Sequence, residues 1–349
     1  MRHICLFVFL LINLACSHKK DQTKEYPIQN LETRYSDSIF NVIAFGSCNH
    51  EDDDQSYWNV INSFSPDIWI WMGDNIYGDT EDMSVMAAKY GMQKENEHYA
   101  SFADSIKIYG TWDDHDYGVN DGNRTYPKKE ESKKLLLEFL DVPIASKVYN
   151  RPGVFQSYVL GDEGRKVKLI LLDTRTFQDP LRKNITGNPR YHKSEGDLLG
   201  EAQWQWLENA LLDTTALTLI VSSIQFLPEN QIYEKWANFP NSKRRMLVLT
   251  ERFSHNNLIF LSGDRHISEI SYLPQEINDL TEITSSGLTH SWEDCDEENN
   301  LRVSPLITQT SFGLLKMDWG QDSFRLKAQL ISTTGEILYT HDLGEFPIR

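Results

Sequence analysis

The sequence predicts an α/β fold in which two stacked sheets are flanked by helices. Six short apolar runs between residues 40 and 261 each end in polar residues, and helix-length segments fit between them. After Ile267 the pattern changes to short alternating strands, which suggests a second, mixed or antiparallel sheet. No internal repeat and no second linker interrupts this order.

The first run, Phe40 to Phe45, is β-branched and apolar and feeds the loop Gly46-Ser47-Cys48-Asn49-His50. Tyr57 to Phe64 has helical spacing, and Pro66-Asp67 ends it before the buried strand Ile68 to Met72. Ile106 to Gly110 leads into Thr111-Trp112-Asp113-Asp114-His115-Asp116, and Val167 to Leu172 leads into Asp173-Thr174-Arg175. Leu217 to Val221 leads into Ser222-Ser223-Ile224-Gln225, and Leu258 to Leu261 into Ser262-Gly263-Asp264-Arg265-His266. Helices are expected at Met83 to Phe102, Lys128 to Leu140, Glu201 to Leu212 and about Arg244 to Phe253. Trp204, Leu207 and Leu211 share one face of the third of these. Late strands are expected at Phe324 to Ile331 and Ile337 to Thr340. Trp69, Trp71, Trp204 and Trp206 read as packing residues, and the charged run Lys128 to Lys134 as a solvated helix face.

With 40% hydrophobic and 24% charged residues in 349, the chain has enough apolar material for a large core. A net charge of −17 argues against binding nucleic acid by neutralising its phosphates. It leaves room for carboxylates gathered around cations, because bound ions are then the largest charges in the neighbourhood.

Arg2 and His3 precede an apolar run from Ile4 to Leu14, too short to span a bilayer and of the length of a signal-peptide core. Leu14-Ala15-Cys16 resembles a lipoprotein processing site, with Asn13 where a Leu is usual. Residues 1–16 therefore read as an export signal ending at a lipid-anchored Cys16, residues 17–38 as a polar tether, and 39–349 as the folded domain. The expected location is outside the cytoplasm, periplasmic or at the cell surface, with the membrane reached only through Cys16. Cys48 and Cys295 then remain, and two readings stand open: a disulfide between them, or Cys48 as a metal-bound thiolate.

The chemistry concentrates where strands end. In Met72-Gly73-Asp74-Asn75-Ile76-Tyr77 a carboxylate directly after a strand and a phenol three residues on can reach one ion, with Gly73 allowing the turn. Cys48, Asp114-His115 and Gly263-Asp264-Arg265-His266 follow other strands in the same way. This order resembles the calcineurin-like metallophosphoesterases, with Cys48 as the early ligand, Asp114 in place of an Asn, and Asp264 in place of a His. The Asp-x-x-Tyr spacing is similar to that of purple acid phosphatases. With Trp112 to Asp116, Asp173-Thr174-Arg175, Gln203-Trp204-x-Trp206-Leu207 and Trp236-x-x-Phe239-Pro240, the pattern looks like the alkaline phosphatase D family, over about Phe45 to Trp292.

That resemblance implies a metallophosphoesterase-type four-layer α-β-β-α sandwich with two mixed sheets. It implies a metal-dependent phosphoric ester hydrolase, acting on mono- or diesters through a metal-activated hydroxide or oxide. Asp74 would bridge two or more ions. Cys48, Tyr77 and His266 would complete a site suited to Fe3+, and Asp114 with Asp264 a site suited to a hard cation such as Ca2+. His115 is expected to donate a proton to the leaving alcohol or to contact a phosphoryl oxygen. Arg265 is expected either to bind phosphate or simply to be held by its acidic neighbours, with Arg175 and Arg244 as weaker candidates of the same kind. Gln225 reads equally as a further ligand and as a solvated strand-end residue. The alternative function is a non-catalytic exported surface protein that binds a metal or another ligand.

Overall fold

The computed structural model describes residues 39–348 apart from 163 and 278, so the expected export signal and tether lie outside the described residues. Where the first two apolar runs were expected, β1 (Val42–Gly46) and β2 (Ile68–Met72) run parallel on either side of helix α1 (Tyr57–Ser63). Parallel strands force a crossover connection, and α1 supplies it. Helices α2 (Met83–Glu95) and α3 (Glu97–Ala103) then lead to β3 (Lys107–Thr111), also parallel. The single helix expected over Met83 to Phe102 is therefore broken. At the break Asn96 leaves helical geometry, and its side-chain oxygen accepts from the His98 and Tyr99 amides at 3.1 and 3.2 Å, starting α3 as an N-cap.

A short turn α4 (Asp114–Tyr117) and helix α5 (Lys129–Phe139) follow. The second sheet opens with β4 (Gln156–Leu160) and β5 (Val167–Leu171) and continues through α6 (Gly200–Ala210), β6 (Leu217–Ser222), α7 (Pro240–Arg252) and β7 (Leu258–Ser262). The remaining strands are β8 (Ser268–Leu273), β9 (Leu280–Ser285), β10 (Ser311–Trp319), β11 (Ser323–Ser332) and β12 (Ile337–Pro347).

Two six-stranded mixed sheets result, in the orders β12-β11-β10-β1-β2-β3 and β4-β5-β6-β7-β9-β8. The late strands thus do not form a sheet of their own. Strands β8 and β9 complete the second sheet, while β10 returns to lie antiparallel to β1 and carries β11 and β12 with it. Alternation within a strand sets its two faces but not its partner, so the sequence pattern carried no sign of this split.

Burial follows the layers. Ile43, Phe45, Ile68, Ile70 and Met72 face Leu169, Leu171, Leu219 and Leu261 in the core between the sheets. Trp69 and Trp71 point the other way and pack with Trp58, Tyr99 and Phe102 beneath the helices of the first sheet. Trp204, Leu207 and Met246 cover Ile170, Ile220 and Phe260 on the second sheet. The architecture is accordingly an α-β-β-α sandwich. The expected solvated face of α5 is only partly so: Lys133 is buried and donates to the Arg151 carbonyl, while Glu130, Glu131 and Lys134 stay exposed.

Candidate metal centre

Strands β1, β2 and β3 point their carboxyl ends in one direction, as do β5, β6, β7 and β9, so their following loops meet along one edge of the sandwich. Four non-glycine residues in these loops, Cys48, Asp74, Asp264 and His266, have positive φ of 60°, 48°, 67° and 54°. That conformation is costly for residues with a Cβ and persists where the surroundings fix it. The fixing bonds are visible. Asp116 accepts from the amides of Asp74, Asn75 and Asp113 at 3.3, 3.2 and 2.7 Å, which ties the loop after β2 to the loop after β3. The His266 amide donates to Ser286 Oγ at 2.7 Å. Gly73, at φ +102°, must be glycine, because a Cβ there would lie 2.5 Å from Asp113 Cβ.

The sequence-derived residues converge. Cys48 Sγ lies 3.5 Å from Asp74 Oδ2, and Cys48, Asp74 and His266 offer ligand atoms within 4.8 Å of one another. Tyr77 Oη is 3.1 Å from His266 Nε2 and 3.0 Å from His290 Nε2. Asp74 also groups with Asp114 and His115, and Asp114 in turn with Asp113 and Asp264. Asp74 is therefore common to the sulfur- and nitrogen-bearing group and to the first carboxylate group.

Burial sets the electrostatics. It holds the Asp74, Asp113 and Tyr77 protons well above their usual ranges and pushes Asp264 up to about 7 and the Cys48 thiol up to about 11. Burial, with His290 and Arg265 nearby, pushes His266 down to about 3, so its imidazole is neutral and free to donate a lone pair. Against burial, Arg175 and His115 keep the Asp114 carboxyl below its usual value. One Asp113 oxygen, Oδ2, is buried without a hydrogen-bond partner among the described residues. Buried acidic groups held protonated, a neutral imidazole and an orphaned carboxylate oxygen are what a set of cation ligands looks like before the cation is counted.

Of the remaining candidates, His115 stays with the cluster, Arg175 backs it, and the others turn away. Arg265 is 5% exposed and turns from the cluster to an ion pair with Glu297, its guanidinium 4.5 Å from the Tyr233 ring. Gln225 is buried, not solvated, and its amide donates to Glu269 and to Thr284 Oγ1, both at 2.9 Å. Arg244 lies on α7 and donates to Asn241. Arg175 is fully buried behind the cluster, between Asp113 and Glu234. His115 Nδ1 sits 2.8 Å from Asp79 Oδ2.

Sequence reasoning missed Asp79, Asp113 and Asp116, which share loops with the candidate ligands, and His50 and His290, which lie stacked and edge-on against Tyr77 at ring distances of 3.9 and 5.2 Å. His290 follows the end of β9 as the other site residues follow their strands, and that rule would have found it. No disulfide joins Cys48 to Cys295; both are free. We expect both thiols to react with a thiol reagent when the chain is unfolded without reductant, and a pair that stays blocked until reduction would contradict this arrangement.

Fold and cluster together define a metallophosphoesterase-like sandwich. It overlays the solved structure of PhoD with a TM-score of 0.68 at 17% identity, covering 90% of this chain and 72% of that one. A dimetal phosphatase from Danio rerio overlays with a TM-score of 0.54 at 12% identity, over 88% of this chain and 99% of that one. The chain belongs to the PhoD-like phosphatase family, which matches residues 87–303. It is 29% identical over 185 residues to alkaline phosphatase D of Bacillus subtilis (strain 168), a match covering 47% of this chain and 31% of that protein. The match thus spans less than a third of that relative's length.

Proposed function

We propose that the protein is a metal-dependent phosphoric ester hydrolase acting on phosphate mono- or diesters. The convergence of Cys48, Asp74, Tyr77, Asp114, Asp264 and His266 at one edge of the sandwich carries this reading. Asp74 would hold ions on both sides, with Cys48, Tyr77 and His266 on one and Asp114 and Asp264 on the other. Thiolate, phenolate and imidazole suit Fe3+, and the carboxylates suit Ca2+. Bound cations supply Lewis acidity, neutralising phosphate oxygens and acidifying water. His115, with Nδ1 engaged by Asp79, keeps Nε2 for the leaving oxygen, to which it delivers a proton. That oriented imidazole favours catalysis over a purely ion-holding surface protein, which has no use for it.

Family membership and the relatives' names support phosphatase chemistry, and the ligand types support the choice of ions. Export and a lipid anchor at Cys16 rest on the sequence of residues 4–16. Among the described residues no helix is long and apolar enough to cross a membrane.

The test is metal analysis paired with hydrolysis of p-nitrophenyl phosphate and bis(p-nitrophenyl) phosphate. Full metal loading with no turnover of either ester would sink the reading. Iron bound through Tyr77 should colour the protein by phenolate-to-iron charge transfer, and a chelator should remove colour and activity together; a colourless, fully active preparation means a different metal pair. His115→Ala should leave metal content intact and lower turnover by about 10²–10⁴-fold, most for esters with poor leaving groups. Loss of metal in that variant would reassign His115 as a ligand.

A further inference from the structure

Beside the metal centre, Lys183 and Tyr191 bridge as the arms of an antiparallel hairpin, closed by Asn184 donating to the Arg190 carbonyl at 2.8 Å and His192 to the Arg182 carbonyl at 3.0 Å. The hairpin is anchored at its base, where the Arg190 amide donates to the Ile232 carbonyl at 2.9 Å. Its two cations meet one anion: Lys183 Nζ and an Arg190 guanidinium nitrogen each lie 3.2 Å from Asp121 Oδ2. Asp121 in turn donates its amide proton to Asp114 Oδ2 at 2.6 Å, one bond from the proposed ions. A second route closes the circuit. Arg190 lies 5.6 Å from the Tyr233 ring, Tyr233 packs edge-on to Trp292, and the Trp292 amide donates to the His266 carbonyl at 2.7 Å.

Two cations sharing a single carboxylate leave one positive charge in excess, on a chain whose net charge is −17. Both side chains are open to solvent, 62% for Lys183 and 38% for Arg190. Pinning Asp121 requires only one of them, and exposed ion pairs contribute little to stability. An incoming anion balances the surplus, and the planar fork of Arg190 suits the paired oxygens of a phosphate.

We propose that this hairpin is a cationic clasp that reads a second anionic group on the substrate, beyond the phosphate held by the ions, with Arg190 and Lys183 as specificity residues. The proposal rests on the phosphoesterase reading and names its substrate class: esters that carry a further negative charge near the reacting phosphorus.

Calorimetric binding to the metal-loaded protein tests it with two charge probes, a thymidine dinucleotide and the same dinucleotide bearing a terminal phosphate. The loaded protein should bind the phosphorylated probe at least about tenfold more tightly, and the preference should shrink as salt rises. Arg190→Gln and Lys183→Gln should each reduce that ratio by about fivefold or more, while Arg190→Lys, which keeps the charge and loses the fork, should reduce it less than Arg190→Gln. Equal binding of the two probes by the unaltered protein, or an unchanged ratio in both glutamine variants, overturns the clasp and leaves the hydrolase reading standing. A loaded protein that binds neither probe overturns both.

Discussion

Replacing Asp74 with Ala should abolish metal binding and hydrolysis together, lowering turnover by at least about a thousandfold. Among the described residues Asp74 alone belongs both to the group with Cys48 and His266 and to the group with Asp114 and His115. Its loss removes a ligand from each side at once, which separates it from Asp264, grouped only with Asp113 and Asp114. Metal content after gel filtration, measured beside activity, checks the result. Retention of both metal and turnover by Asp74→Ala would falsify the bridging role. The Asp116 staple should hold the neighbouring loops in the variant, so its fold is expected to survive.

The second large effect is expected away from the reacting atoms. Arg175 is fully buried, 2.5 Å from Asp113 Oδ1, paired with Glu234, and 3.9 Å from Asp114 Oδ1. Arg175→Met keeps an unbranched apolar stem but removes the guanidinium and its charge, leaving two carboxylates buried without their partner. Breaking a buried pair in this way costs about 3–5 kcal/mol, because the remaining charges are neither solvated nor compensated. Glu234, whose proton burial already holds more tightly than usual against the pull of Arg175, would then take one up. Asp114 would lose the positive neighbour that keeps it ionised, so metal affinity should fall along with stability. Urea unfolding of the metal-loaded variant measures the first effect and competitive chelation the second. A stability loss under about 1 kcal/mol would place Arg175 among the surface-like pairs, contrary to its burial.

The convergence of the proposed ligands was legible because each stands within a few residues of an apolar run, and chain order along parallel strands puts such residues on one edge. What escaped depends on geometry that adjacency conceals. Asp113 and Asp114 are indistinguishable in sequence, yet the first is taken by Arg175 and Ser223 while the second reaches Asp74 and His115. Arg265 sits between two proposed ligands, but left-handed backbone at Asp264 and His266 turns it to the opposite side, to a carboxylate 32 positions later. Gln225, read equally as a ligand and as a solvated residue, is buried because its partners, Glu269 and Thr284, lie on strands that come later in the chain. The break at Asn96 was written in the residue type, since Asn favours helix starts, but a helical pattern on both sides masked it.

Cys48, Asp74, Tyr77 and Asp114 hang from one β-layer, and Asp264, His266 and His290 from the other. The ions would therefore act as a rivet through two plates that are otherwise joined by an apolar filling and a few polar ties, such as Thr111 Oγ1 to the Leu172 carbonyl and Arg175 to Asp113. Sliding one plate against the other would break those ties and no ladder bond, and a slip of about 1 Å would pull the rivet hole out of line. Loading and interlayer alignment are then one equilibrium seen from two ends, so whatever loosens the plates must also weaken the grip on the cations.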